Sequence, residues 1–179
     1  MANIQKKYIG LLGGSFDPAH KGHLGISKIA LKKFKIKKIY WVITKKNPFK
    51  NKTLYSLEER IKFAKKISKT QKKIESIYLD NIIKSSRIID VINYFIKKKK
   101  FKNIYFIIGS DNLLRFHKWK SWKKIVKLVK LIVFSRRGYD KKGMKSTVVK
   151  NFENKIIFVK NKPIFISSTQ LKKRTKSNI

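Results

Sequence analysis

The sequence predicts an α/β domain: a mostly parallel, doubly wound sheet with helices on both faces. Three observations carry this. Apolar runs of strand length recur at Tyr8–Leu12, Lys37–Ile43, Ile74–Leu79, Asn103–Ile108, Leu131–Phe134 and Ile156–Val159. Stretches with apolar residues at helical spacing lie between most of them. No repeat and no Pro/Gly/Ser-rich linker interrupts the 179 residues, so the chain reads as a single domain over 1–179. Near-continuous apolar strands alternating with amphipathic helices are the pattern of a parallel sheet covered on both sides.

In chain order, Tyr8–Leu12 is the first strand, which Gly13, Gly14 and Pro18 break into a tight loop. After His20, Leu24, Ile26, Ile29, Ala30 and Phe34 resume at helical spacing. The second strand places Ile39, Trp41 and Ile43 on one face. The loop from Thr44 to Tyr55 carries Asn47-Pro48-Phe49-Lys50, and Ser56-Leu57-Glu58-Glu59 is a capping box that opens a helix through about Lys69. The third strand is followed by an amphipathic helix over Ser86–Lys99, with Ile88, Ile89, Ile92, Phe95 and Ile96 inward. The strand Asn103–Ile108 ends at Gly109-Ser110-Asp111; short helices are expected at Asn112–Phe116 and Trp119–Val129. Leu131–Phe134 stops at Ser135-Arg136-Arg137-Gly138-Tyr139, a helix is expected over Ser146–Phe152, and the last strand leads through Pro163 to Ser167-Ser168-Thr169.

Composition narrows the function. Lys and Arg number 47 against 9 Asp and Glu, a formal net charge of +38. The lysines are spread along the whole chain, and arginine, the residue of bidentate base contacts, occurs only at 60, 87, 115, 136, 137 and 174. Dedicated nucleic-acid binding is therefore not expected; attraction of anionic substrates is. The chain has no cysteine, which excludes disulfides and thiolate metal sites. No apolar stretch reaches membrane-span length, and residues 1–7 lack the apolar core of a signal peptide, so the cytoplasm is the expected location.

Four strand-end loops carry polar or glycine-rich sequence: Gly13–His23, Thr44–Lys50, Gly109–Asp111 and Ser135–Arg137. In a parallel sheet such carboxyl ends converge on one crevice. His20 and His23, three apart at a predicted helix start, are expected to share one face there, where free N–H groups attract phosphate and imidazoles can donate to it. Ser167, Ser168 and Thr169, followed by Lys172, Lys173 and Arg174, form a second hydroxyl-and-cation cradle. No paired-carboxylate metal site is visible.

Gly14 to His23 resembles, without a break, the GSFDPxHxGH signature of the nucleotidyltransferase superfamily, and the Ser167–Lys172 segment resembles its closing ISSTxxR motif. Gly109-Ser110-Asp111-Asn112-Leu113 with Phe116, Trp119 and Trp122 resembles a segment of bacterial nicotinate-nucleotide adenylyltransferases. The Pro48–Lys50 loop and Ser135–Tyr139 resemble that family's proline-and-basic loop and its R-P-G segment. The resemblance implies a Rossmann-like fold and transfer of AMP from ATP to nicotinate mononucleotide, giving the dinucleotide and pyrophosphate, with Mg2+ carried in by ATP. It implies His20 and His23 as catalytic. It places ATP against Gly13, Gly14, Ser15, Phe16, His20, His23, Gly109, Asp111, Arg136, Ser167, Ser168, Thr169 and Lys172, and the mononucleotide against Lys50, Ile88 and Trp119. Three positions depart from the family: Lys172 stands for the closing arginine, Arg137 for the proline of R-P-G, and Ser86-Arg87-Ile88-Ile89-Asp90 for a serine–tyrosine–threonine run. The alternatives are a sister enzyme acting on phosphopantetheine, sharing the first and last motifs, and an inactive basic nucleic-acid-binding module on the same fold.

Overall fold

The computed structural model describes residues 8–45 and 53–161. Its strands and helices alternate. The first half runs β1 (Tyr8–Gly14), α1 (Lys21–Lys33), β2 (Ile36–Ile43), α2 (Leu57–Ser68), β3 (Ile74–Tyr78), α3 (Asp80–Ile83) and α4 (Ile88–Lys97). The second half runs β4 (Asn103–Gly109), α5 (Ser110–Arg115), α6 (Trp122–Leu128), β5 (Lys130–Phe134), α7 (Asp140–Met144), α8 (Thr147–Phe152) and β6 (Ile156–Val159). The six strands form one sheet in the order β3-β2-β1-β4-β5-β6, and every pairing is parallel. This is the doubly wound order in which the chain reverses its direction of travel between β1 and β4.

Side-chain alternation explains why both faces are covered. On one face Ile9, Leu11, Phe106, Ile108, Leu131 and Val133 pack with Ile92 and Phe95 of α4, Leu113 of α5 and Ile125 of α6. On the other, Leu12, Ile39, Trp41, Ile43, Ile107 and Ile132 pack with Ala30 of α1 and Ala64 of α2. Ile39, Trp41 and Ile43 share one face, as their spacing predicts. Gly10 sits where a Cβ would come within 2.9 Å of Ile39 and 3.1 Å of Ile107, so a larger residue there would force the central strands' isoleucines aside.

Several boundaries differ from the sequence reading for identifiable reasons. Gly13 and Gly14 belong to β1 rather than to the loop, because they stay in register with Val42 and Ile43, and Thr44 N–H donates to Gly14 O. The helix expected from Ser86 starts at Ile88: Ser86 spends its hydroxyl on Asp80, and Arg87 is extended. Trp119 precedes its helix. A 3₁₀ turn over Phe116–Lys118 follows α5, Trp119 is extended, Ser121 takes a left-handed φ of 60°, and only then does α6 begin. Helices α3 and α7, of four and five residues, are too short to show a period.

Candidate active site

A parallel sheet of this order opens its crevice at the carboxyl ends of the strands flanking the reversal, here β1 and β4. The described residues converge there: His20, Gly22, His23, Ile26, Gly109, Phe134, Ser135, Arg136 and Asn161 line one cleft.

His20 and His23 meet at the start of α1, but not as two side chains on one helical face. His20 is the N-cap, with extended backbone, and its Nδ1 accepts from Gly22 N–H at 3.1 Å. His23, in the first turn, turns back so that its Nδ1 accepts from His20 N–H at 3.2 Å. The two imidazoles thereby stand in for the hydroxyl and carboxylate of an ordinary capping box, and their ring centroids lie 3.9 Å apart. An Nδ1 that accepts leaves the ring proton of a neutral imidazole on Nε2, so both rings carry their donor on the edge away from the helix backbone.

The floor beneath them is aromatic. Phe16, held at a φ of 46°, packs its ring 4.7 Å from His23 and 5.3 Å from the fully buried Trp41. Trp41 Nε1 donates to Ser27 Oγ at 2.9 Å, and that hydroxyl donates to His23 O at 2.8 Å. Strand β2 thus fixes the first turn of α1 through one buried side chain.

Three buried charged groups tie the loops around this turn together. Asp17 accepts from Leu54 N–H and Tyr55 N–H at 3.0–3.1 Å. The Arg60 guanidinium, 2% exposed, donates to Ser15 O and Thr44 O at 2.8 Å and to Lys45 O at 3.3 Å. Burial pulls its pKa below the usual arginine value, and the nearby Asp17 carboxylate opposes that. Asp80 accepts from Lys45 N–H at 2.9 Å and from the hydroxyls of Ser86 and Thr44 at 2.8 and 3.4 Å. Asp80 thus holds Lys45 at the end of the β2 loop, and Asp17 holds Leu54 and Tyr55 ahead of α2.

Across the cleft lies the turn after β4. A Cβ on Gly109 would run into Asp111 Oδ1 and come within 3.1 Å of Arg136 Cγ, so a larger residue there would displace both side chains. Arg136 Nε stands 3.8 Å from Asp111 Oδ1, an oxygen with no hydrogen-bond partner among the described residues. Arg136 N–H donates to Asp140 Oδ1 at 2.9 Å and to Ser110 Oγ at 3.0 Å, and the Ser110 hydroxyl donates to Asp140 Oδ1 at 2.6 Å. Burial pushes the Asp140 pKa up, but the donors Ser110, Arg136 and Ser135 together hold it below the usual carboxylate value. Ser135 N–H donates to Asn161 Oδ1 at 3.0 Å, which brings the end of the described chain into the cleft.

The structure brings together His20, His23, Gly109, Asp111 and Arg136 from the sequence-predicted set, with Gly13, Gly14, Ser15 and Phe16 running into the same turn. Ile88 joins them from the start of α4, since a Cβ on Gly13 would meet its Cδ1 at 3.7 Å. Trp119 is half-buried, stacked on Phe116 at 4.9 Å and edge-on to Phe106 at 5.9 Å, so one indole face already belongs to the core. Lys50, Ser167, Ser168, Thr169 and Lys172 lie outside the described residues. Sequence reasoning missed Asp17, Arg60, Asp80, Ser110 and Asp140 as organisers of the site. For Arg60 a signal existed: it shares the buried stripe of α2 with Ala64 and Ser68, a charge on the inward face. Among the described residues no group of three or more His, Cys, Asp or Glu could hold a metal ion, and no helix is long and apolar enough to cross a membrane.

Residues 11–174 match the cytidylyltransferase-like family model. A protein of Pelagibacter ubique described as a probable nicotinate-nucleotide adenylyltransferase is 50% identical over 172 residues, 96% of this chain and 95% of the relative. One of Endomicrobium trichonymphae with the same description is 31% identical over 95% of this chain and 86% of its own length. The structure of Plasmodium falciparum nicotinic acid mononucleotide adenylyltransferase complexed with NaAD superimposes with a TM-score of 0.75 at 22% identity, covering 93% of this chain and 83% of that one.

Proposed function

Because the chain belongs to the cytidylyltransferase-like family and, within it, to the nicotinate-nucleotide adenylyltransferases, we propose how its residues divide the work of moving AMP from ATP to nicotinate mononucleotide. The enzyme is a nucleotidyltransferase of NAD biosynthesis; its products are nicotinate adenine dinucleotide and pyrophosphate. The observation that carries the residue assignment is the paired imidazoles capping α1 at the reversal of the sheet, facing the Gly109–Arg136 turn across one cleft.

The acceptor's phosphate oxygen attacks the α-phosphorus in line, and the bond from that phosphorus to the bridging oxygen of pyrophosphate breaks. No side chain of the site needs to act as a nucleophile, so catalysis consists of positioning and of neutralising charge on the transferring phosphate. In this reading the Nε2–H edges of His20 and His23 donate to the triphosphate as charge builds there. Backbone from Gly13 to Phe16 follows the α-phosphate. Gly109 and Asp111 border the adenosine, with Asp111 Oδ1 an acceptor for a ribose or base donor, and Arg136 closes over them. Ser167, Ser168, Thr169 and Lys172 complete the ATP side, and Mg2+ travels on the phosphates as part of the substrate.

On the acceptor side, Lys50 takes the mononucleotide phosphate. The cation beside Pro48 in the loop after β2 supports this, a phosphate needing a positive partner. Ile88 and the first N–H groups of α4 face the pyridine carboxylate, a helix start being suited to an anion. Trp119 offers the ring the indole surface that Phe116 does not cover. The deciding experiment is pyrophosphate release from ATP with nicotinate mononucleotide, nicotinamide mononucleotide and phosphopantetheine offered separately. The first should be turned over far faster than the third; a preference for phosphopantetheine would replace this reading with the sister activity.

A further inference from the structure

We propose that Asp140 is a positioning residue for ATP, acting with Ser110 as a lock that holds Arg136 against the Gly109–Asp111 turn. The inference rests on the adenylyltransferase reading for the identity of the ligand, but its geometry is independent of it.

The lock joins three elements. Ser110 opens α5 and is fully buried, Asp140 opens α7, and Arg136 follows β5. One oxygen of Asp140 receives both the Ser110 hydroxyl and the Arg136 N–H, and the same N–H is shared with Ser110 Oγ. The seat is built to admit it: Gly143 of α7 lies so close to Ser110 that a Cβ there would be 3.1 Å from the Ser110 carbonyl oxygen. The intervening turn is closed by Tyr139 N–H donating to Arg136 O at 3.0 Å, with Gly138 at a φ of 83°.

Asp140 is not among the residues that line the cleft. Its effect on substrate passes through Arg136, whose side chain is 41% exposed and stands beside Asp111. A long, half-exposed arginine loses much rotamer freedom when it closes on a ligand. Fixing its backbone amide in advance sets the point from which the side chain reaches Gly109 and Asp111, so that only side-chain rotamers remain to be ordered on binding. Release of the lock should therefore weaken ATP and leave the acceptor alone.

The test uses the full chain with Asp140→Ala and Asp140→Asn. Steady-state pyrophosphate release is measured with ATP and nicotinate mononucleotide varied in turn, beside the ATP Kd by calorimetry and a melting curve. Asp140→Ala should raise the ATP KM and Kd about tenfold, the scale of losing a charge-assisted hydrogen bond, with the mononucleotide KM within about twofold of the parent. Asp140→Asn keeps an oxygen acceptor for Arg136 N–H and should raise the ATP values about threefold. Equal rises in both KM values, or a lowered melting temperature with an unchanged ATP KM, would make Asp140 structural only and overturn the proposal. Should Asp140→Ala fail to fold, Asp140→Asn decides alone, an unchanged ATP KM counting against the lock. Should the parent fail to turn over nicotinate mononucleotide, the acceptor assignment falls, while the ATP Kd of parent and variants still judges the lock.

Discussion

At the scale of single residues, His20 and His23 each do two things with one ring. Nδ1 holds the first turn of α1, and in the proposed reading Nε2 carries the proton offered to phosphate. Removing either should cost roughly 10²-fold or more in kcat, the scale of one transition-state donor. It should also cost about 1 kcal/mol of stability, the scale of a lost cap. Steady-state kinetics beside a melting curve for His20→Ala and His23→Ala separates the two effects; near-normal kcat in both would remove the histidines from the chemistry. Asparagine at position 20 can restore a capping oxygen but not the Nε2 donor, so His20→Asn should recover stability without recovering rate. Trp119 is likewise divided, between Phe116 on one face and the proposed ring stack on the other. Trp119→Ala should therefore lower both stability and acceptor capture, the first by about 2–4 kcal/mol because the side chain is only half-buried. Trp119→Phe should restore most of the melting temperature. A normal mononucleotide KM in that folded variant would return Trp119 to the core alone.

At the scale of elements, the strands and the long helices were legible because their periods are strong. The Ser56–Glu59 box opens α2 as its spacing predicts, with Ser56 Oγ accepting from Glu59 N–H and Glu59 reaching back to Ser56 N–H. What joins the elements was less legible. Arg60 bonds a carbonyl 45 residues away and Asp140 a hydroxyl 30 residues away, and no local pattern announces such partners. The described motif residues His20, His23, Gly109 and Arg136 do line one cleft, yet the manner in which the histidines meet, through an N-cap, depends on backbone geometry that spacing alone does not specify. Arg60 is the sharpest case of an element acting on the site from behind. It holds the β1 loop at Ser15 and the β2 loop at Thr44 and Lys45, so Arg60→Ala removes three hydrogen bonds, the one to Ser15 in a fully buried place. The expected loss is about 3 kcal/mol or more. Arg60→Lys keeps the charge but cannot fork to several acceptors, and should recover less than half of it. Denaturant unfolding of the three proteins checks this; an Arg60→Lys variant as stable as the parent would show that charge, not the fork, holds the loops.

At the scale of the whole molecule the question is what a net charge of +38 does. Many lysines already have local work. Lys32 and Lys33 end α1, Lys65 and Lys66 end α2, and Lys97 ends α4, each in a last turn where a cation balances the helix dipole. A basic groove formed by Lys28, Lys32, Lys72 and Lys73 lies at the carboxyl end of α1, the pole of that helix that repels anions. Placed so, the lysines are expected to act as a diffuse field rather than as a track for a polyanion. Such a field raises the local concentration of anions around the protein and is screened by salt, the Debye length falling from about 10 Å at 0.1 M to about 3 Å at 1 M. ATP with Mg2+ on its phosphates and nicotinate mononucleotide carry about the same net negative charge, so their capture should be similarly sensitive. Raising NaCl from 0.1 to 1 M should lower kcat/KM for each substrate by roughly three- to tenfold, with kcat nearly constant, since a screened field changes encounter and not positioning. Steady-state kinetics across that range, together with oligonucleotide titrations at physiological salt, checks the expectation. Submicromolar, sequence-selective binding of any oligonucleotide would show that the lysines form an organised surface after all.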